Sequence, residues 1–442
     1  MSRPMKDSGV EWIGDIPTDW NVANIRKLFS FGKGLPITKE NLRESGLSVI
    51  SYGQIHSKFN DGTTVKPELI RFVDDYYLQS NPESIVKKND FIFADTSEDL
   101  TGCGNCVYID TDDLIFAGYH TIILRNKTDS ELKYFAFLFQ SDAWRKQIRE
   151  RVTGVKLFSI SQKILRATSI LIPPLDEQQR IATFLDGECA RIDSVIEKTR
   201  ASIEEYKKLK QAVITRAVTK GIRPARTFKD SGIDWLGEIP TDWNVGRIKN
   251  LANIFTGNSI RDEEKKFYED PIEAIPYIST KDIDMTLQTI NFSNGMYIKS
   301  ADESFKHAPA HSVLLCIEGG SAGKKIAYTA QEVCFVNKLC CFHSNSCSNK
   351  YIYYYLMSPA FTELFNSYIS GLIGGVSVKA LNNFKILLPP LDEQKEIAVY
   401  LDEKTAAIDL LIAKKNQLAT ELASLKKSLI FEYVTGKKAV PI

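Results

Sequence analysis

Neither sign of charge dominates this 442-residue chain: 56 lysines and arginines stand against 55 aspartates and glutamates, for a formal net charge of +1. That balance neither demands nor excludes a nucleic-acid partner, because phosphate binding depends on cations gathered on one face. No stretch approaches the roughly 18 to 20 unbroken apolar residues of a membrane-crossing helix. The opening MSRPMKDSGVEW also lacks the apolar core of a secretory signal, so a cytoplasmic protein without a membrane partner is expected. Of five histidines, His307 and His311 lie four apart, but Pro309 separates them and no acidic partner completes a zinc-binding helix. Eight cysteines include a lone C-x-x-C, Cys103 with Cys106, without the second pair that a structural zinc site needs. No metal site is expected.

Signatures of catalysis are missing as well. The chain has no G-x-S-x-G elbow, no glycine-rich dinucleotide fingerprint and no N-P-P-Y or D-P-P-Y run of the kind that positions an extruded adenine. EGGSAGKK, from Glu318 to Lys325, lacks phosphate-loop spacing and has no counterpart earlier in the chain; it reads as a turn between strands with surface lysines. No catalytic residue is expected. What remains is an ordinary folded composition, 43% hydrophobic and 25% charged, which excludes disorder. At this length more than one core is expected.

The dominant positive feature is a duplication. ILIPPLDEQQRIATFLD at Ile170 to Asp186 returns as ILLPPLDEQKEIAVYLD at Ile386 to Asp402, an offset of 216. KDSGVEWIGDIPTDWNV at Lys6 to Val22 returns as KDSGIDWLGEIPTDWNV at Lys229 to Val245, an offset of 223. The segments between hardly resemble each other, so alike frames hold unlike fillings. In the second frame, Pro173 and Pro174 end a strand-like SILI, and Asp176 is placed to cap a helix starting near Glu177; Pro389, Pro390 and Asp392 repeat this.

Behind those caps, Leu185, Cys189, Ile192, Ile196, Ile203, Tyr206, Val213 and Ala217 follow steps of four and three, with Thr199 and Lys210 filling the ladder. Leu401, Ile408, Ile412, Ala419, Leu422, Leu429 and Tyr433 keep the same phase in the second copy. Each seam predicts a helix of about 40 to 45 residues, or about 60 to 65 Å at ~1.5 Å per residue. The two helices either pack separately, form a homodimer, or pair with each other; duplication within one chain favours the internal pair.

In the first frame, Trp12 and Trp20, echoed by Trp235 and Trp243, read as anchors that pack a terminus onto a domain, with base stacking as the alternative. Arg216, Lys220, Arg223, Arg226 and Lys229 crowd the segment after the first arm, which reads equally as a solvated linker or as a contact to phosphate or protein. Both fillings are rich in short strands, such as DFIFA and HTIILRN in the first and SVLLCIE and VCFVNKLCCF in the second. Each is followed by helical patterns, at Leu132 to Val152 and Lys350 to Ile369. The order matches where the letters do not, so these are two versions of one fold.

The PPLDEQ helix starts at Pro173 and Pro389, the G-x-I-P-x-x-W openings at Gly14 and Gly237, and the two unlike middles together resemble the specificity subunit of type I restriction-modification systems, over essentially the whole chain. IPYISTKDI and GGSAGK in the second middle also match the family's target-recognition pattern; VISYGQI and FADTSEDLTGCGN in the first depart from it. The resemblance implies an α+β chain with target-recognition domains at 1–173 and, after a linker, within 221–389. Helical arms at 174–220 and 390–436 would pair as an antiparallel coiled coil, and 437–442 would form a tail.

It further implies a non-catalytic reader of a split, asymmetric site in double-stranded DNA. Two methylation subunits carrying S-adenosylmethionine would dock on the arms and methylate adenine, and restriction subunits would bring ATP and Mg. This chain would bind no cofactor itself. Candidate DNA contacts are Lys33, Tyr52, Gln54 and Lys156 in the first domain, with Asn258, Thr280, Lys281, Lys324 and Lys379 in the second, because lysine suits guanine and amides suit adenine in the major groove. Candidate arm-interface residues are Leu185, Ile192, Ile196, Ile203 and Tyr206, with Leu401, Ile408, Ile412, Leu422 and Leu429. A scaffold binding proteins or glycans, and a DNA-modifying enzyme with an unrecognised site, are the rival readings.

Arm length gives a first prediction. Four residues inserted into each arm add one helical turn, about 6 Å, or nearly two base pairs at ~3.4 Å per step, and should lengthen the spacer of a recognised site without altering its specified bases. Mapping the recognised motif before and after insertion checks this; an unchanged spacer would mean that the arms do not set the separation.

Overall fold

The computed structural model describes residues 3–233, 236–371 and 374–441. Two compact units emerge, Met1–Thr199 with Gln417–Ile442, and Arg200–Asn416. In the first, one antiparallel sheet runs in the spatial order Cys106–Tyr108, Phe91–Ala94, Thr121–Asn126, Phe29–Lys33. A second sheet runs Arg71–Val73, Leu47–Ile50, Ile115–Ala117, Ile85–Val86, and its middle pair is parallel. The other unit repeats both orders. Ile326–Tyr328, Val313–Cys316, Leu339–His343 and Asn253–Thr256 form one sheet. Tyr297–Lys299, Ala274–Ile278, Val333–Phe335 and His307–Ala308 form the other, again with a parallel middle pair.

Strand periodicity explains why the central strands are apolar throughout. Side chains alternate between the faces of a strand, so one covered on both sides needs no polar positions. Phe91 and Phe93 join the core under helices Leu132–Gln140 and Asp142–Arg149, whereas Ile92 and Ala94 face the core shared with the second sheet. Val313 and Leu315 divide from Leu314 and Cys316 in the same way. Cys103 and Cys106 are buried in the first of these cores, and burial pushes the Cys106 thiol up to about 12, which leaves it a small hydrophobe. Glu318 to Lys325 is the turn between Val313–Cys316 and Ile326–Tyr328.

The duplicated frames are two halves of one clamp. Trp20 Nε1 donates to Glu177 Oε2 at 2.8 Å, and Trp243 Nε1 to Glu393 Oε2 at 3.0 Å. Arg3 grips both oxygens of Glu177, crosses the Trp20 ring at 5.5 Å and reaches Asp19; Arg226 does the same to Glu393, Trp243 (5.8 Å) and Asp242. The neighbouring glutamines lock the domain helices. Gln178 accepts from the Glu131 backbone and donates to Pro173, and Gln394 accepts from Ser348 and donates to Pro389.

This geometry corrects two expectations and, for Trp20 and Trp243, bears out the anchoring role over base stacking. Each arm helix starts directly after the double proline, so Asp176 and Asp392 lie inside the first turn rather than at the cap, and the next acid makes the long-range bonds. Trp20 and Trp243 are fully buried, which removes them from base stacking; Trp12 is half-buried, and Trp235 lies outside the described residues. The cations after the first arm are also largely committed. Arg223 pairs with Asp392 and Glu396, Arg226 with Glu393, and Lys220 donates to the Glu238 carbonyl.

The arms span Leu175–Lys220 and Leu391–Val434, 46 and 44 residues. Glycines with positive φ stop them, Gly221 (77°) and Gly436 (70°), where a side chain would strike Arg226 and Glu393 in one unit and Pro17 in the other. Within the first unit the Phe184 ring meets Tyr433 at 4.6 Å and Lys426 reaches Asp193 at 2.6 Å. Within the second, Lys210 reaches Asp409 at 2.8 Å and Lys415 lies over the Tyr206 ring at 5.7 Å. Rising numbers on one helix meet falling numbers on the other, so the helices pair antiparallel. Leu185, Ile192, Ile196, Ile203, Leu401 and Ile408 are buried, and Tyr206, Ile412, Leu422 and Leu429 half-buried.

Because Glu393 is 0% exposed, its removal leaves the buried Arg226 with only the exposed Asp242 as counter-charge. Glu393→Ala should cost about 3 to 5 kcal/mol of stability, whereas Trp243→Phe, which deletes one charge-assisted hydrogen bond, should cost about 1.5 to 3 kcal/mol. Urea unfolding followed by fluorescence checks the order; a larger loss from Trp243→Phe would show that the ring, not the ion pair, holds the clamp.

Candidate nucleic-acid interface

Parallel strands end at the same edge of a sheet, and the parallel pair found among the described residues of each domain uses this to gather loops. In the first domain, Ser51–His56 leaves Leu47–Ile50 beside Gly118–Thr121, which leaves Ile115–Ala117. Antiparallel neighbours bring the rest: Lys33 pairs with Ile122, the Asp95 backbone N–H donates to His120 at 3.1 Å, and Phe158–Ser159 pairs with Thr96–Ser97. Lys33, Tyr52, Gln54 and Lys156 therefore lie at one end of the domain.

Their environments differ. Lys33 and Lys156 are exposed, and Lys156 lies in a turn between Val155 (94% exposed) and Leu157 (56%). The Tyr52 ring packs edge-on against Tyr119 at 5.6 Å and His120 at 5.4 Å. The Gln54 carbonyl oxygen accepts from the Ser51 N–H at 3.2 Å and closes the local turn. The sequence reading missed Asp95 and His120. The Asp95 carboxylate meets the exposed His120 ring at 3.2 Å and accepts from the Thr96 hydroxyl at 2.7 Å. Behind them, His56 bonds the Thr96 carbonyl (2.8 Å) and Asn105 (3.1 Å), and Arg145 holds Asn105 at 2.6 Å. No local pattern marks these residues, because three separate loops supply them.

In the second domain Ser279–Asp282 occupies the place of Ser51–Gln54, and the Asp282 carboxylate accepts from the Ser279 N–H (2.8 Å) and hydroxyl (2.6 Å). Lys281 is left exposed on this rigid turn. Lys325, another residue the sequence reading missed, donates to the Thr280 carbonyl at 2.6 Å and ties the turn to the 318–325 loop, where Lys324 is exposed. Asn258 lies at the same end with both side-chain groups engaged, accepting from the Lys306 N–H (2.9 Å) and donating to the Ser304 carbonyl (3.3 Å). Lys379 stands apart, on Val378–Leu381 beside the turn at 248–250, with the Lys249 N–H donating to the Asn382 carbonyl.

Two platforms of the same build thus carry different side chains: an acid, a histidine and tyrosines beside Lys33 and Lys156 on one, and lysines with a threonine on the other. The sequence matches the family model described as the type I restriction modification DNA specificity domain twice, over residues 17–205 and 240–420. The chain belongs to that family. Among its relatives, the type I restriction enzyme MjaVIII specificity subunit of Methanocaldococcus jannaschii is 24% identical over 96% of this chain and 93% of its own. The StySPI specificity subunit of Salmonella potsdam is 23% identical over 96% and 90%. The fold is shared with a chain from a structure of a type I R-M system addressing its complex assembly and conformational transition (TM-score 0.72, 19% identity, 96% of this chain and 99% of that one). It is also shared with the HsdS subunit from Thermoanaerobacter tengcongensis (TM-score 0.53, 19% identity, 96% and 98%).

Family membership makes the two domains specificity domains, and the build of each platform separates side chains that shape it from side chains left exposed on it. Asp282→Ala removes the bonds that shape the second platform and should cost about 1 to 2 kcal/mol of stability. Lys281→Ala should leave the melting temperature unchanged and weaken duplex binding. Thermal melts alongside duplex titrations check the pair, and a destabilised Lys281→Ala would place that lysine in the structure rather than at the surface.

Proposed function

We propose that this chain is the DNA-reading subunit of a type I restriction-modification complex, with each domain specifying one half of a split, asymmetric site. The observation that carries this is the pair of equivalent loop platforms bearing unlike side chains: lysines at 281 and 324 donate to guanine O6 and N7, whereas Asp95 accepts from an exocyclic amine of cytosine or adenine. Lys33, Tyr52 and Lys156 serve the first half and Thr280, Lys281 and Lys324 the second, on loops whose shape Gln54 and Asn258 hold. The chain supplies recognition and no chemistry of its own.

Two methylation subunits dock on the arms, bring S-adenosylmethionine and methylate adenine in each half; restriction subunits bring ATP and Mg and cleave. Support for docking comes from leucines left on the outer face of the second arm, where Leu410 and Leu411 in one unit and Leu418 and Leu425 in the other remain 41 to 56% exposed. The complex acts in the cytoplasm.

Single-molecule sequencing of the source genome, with the gene intact and deleted, tests this. The expected result is loss of N6-methyladenine from one bipartite motif, and exchange of residues 30–168 for the corresponding segment of another family member should then change one half of that motif alone. Survival of every methylated motif, in cells that express the gene, would overturn the assignment; a change in both halves would overturn the division between domains.

A further inference from the structure

Beside the edge strand Phe29–Lys33 of the first domain lies an open cleft of about 580 Å³, lined by Asn24, Arg26, Gln162, Lys163, Arg166 and Ala167. Its three cations are exposed, and among the described residues none is in an ion pair. This sets them apart from Arg3, Arg223 and Arg226, each held by carboxylates. The cleft is also built. Arg166 lies over the Phe31 ring at 5.0 Å and donates to Gln162 at 3.1 Å, and Gln162 donates to the Gly32 carbonyl at 2.9 Å. Lys127 donates to the Arg26 carbonyl at 2.9 Å and adds a fourth cation at the rim. The helix Gln162–Arg166 follows the strand Phe158–Ser159, so the cationic edge continues from the loop platform toward the turn Ile25–Lys27.

The second domain repeats the backbone frame and two of the three cations, with Asn382 in the place of Arg166. The Ile25 N–H bonds the Thr168 carbonyl at 3.1 Å, and the Ile248 N–H bonds Phe384 at 3.0 Å; Ser161 and Ser377 cap the matching short helices. Lys249 therefore stands where Arg26 does, and Lys379 where Lys163 does, although SQKILRATSI and SVKALNNFKI share little else. The contrast with the loop platforms decides the chemistry. A side chain that reads bases must differ between two unlike half-sites, whereas one that holds the backbone need not, since phosphate is the same in every sequence.

We propose that the Arg26–Lys163–Arg166 cleft, with Lys249 and Lys379 as its counterpart, binds the phosphodiester backbone of duplex DNA independently of sequence and sets the register in which the loops meet the bases. This rests on the DNA-reading assignment, and it moves Lys379 from base contact to backbone contact. The bonds from Gln162 and the stacking on Phe31 hold Arg166 in place before DNA arrives, so little side-chain freedom is lost on binding.

The test uses the complex isolated from its own cells, titrated with a duplex carrying the methylated motif and with one lacking it, across a range of KCl concentrations. Replacing the three cations together (Arg26→Gln, Lys163→Gln, Arg166→Gln) should weaken both duplexes by the same factor, about tenfold or more, and reduce the slope of log affinity against log salt by between about two and three, while the methylated motif stays the same. The charge-keeping pair Arg26→Lys with Arg166→Lys should restore the slope, which separates lost charge from a damaged fold. Unchanged binding, weakening confined to the specific duplex, or an altered motif would each overturn the proposal. Failure of the unmodified complex to bind either duplex would instead overturn the DNA-reading assignment on which it stands.

Discussion

Two buried glutamates hold the duplicated frame together. Glu177 and Glu393 each follow an aspartate that points to solvent, yet each is nearly or fully enclosed and bound by an indole N–H and a guanidinium. A buried carboxylate is tolerated only when its oxygens are matched by donors and its charge by a cation. That requirement ties the opening segment, the arm and the domain helix into one joint in each unit, because glutamate, tryptophan and arginine must all be present for any one of them to be buried. The repeated G-x-I-P-x-x-W and PPLDEQ segments are the two sides of that joint.

A second constraint gathers the loops of each platform. One parallel strand pair within otherwise antiparallel sheets brings two loops to a single edge, and antiparallel neighbours bring the others. The platforms are stiffened from below by Gln54 and Asp282, which bond backbone N–H groups of their own turns. Side chains at the outer positions can then change without disturbing the scaffold. The two domains differ in this way, Tyr52 standing opposite Thr280 and Gly53 opposite Lys281 in equivalent turns.

Near-neutral net charge conceals an uneven use of cations. Arginines of the frames are consumed in internal ion pairs, while Arg26 and Arg166, beside the edge strand of the first domain, are exposed and have no ion pair among the described residues. A backbone contact needs only the second kind, so total charge says little about it.

The duplication, the tandem mixed domains and the pairing of two long arms were legible in the amino-acid sequence, because repeats and seams at steps of three and four are local patterns that any reader can count, while the antiparallel sense of the arms followed from the family resemblance. The seam from Leu185 to Ala217 shows this: its phase alone predicts which face is covered. Tertiary structure alone decided which polar residues are structural and which are free. Trp20 and Glu177 are 157 residues apart, Arg226 and Glu393 are 167 apart, and the Asp95–His120 pair joins two loops. Such partnerships depend on how the chain returns to itself, and no periodicity or spacing encodes the distance between side chains so remote in sequence.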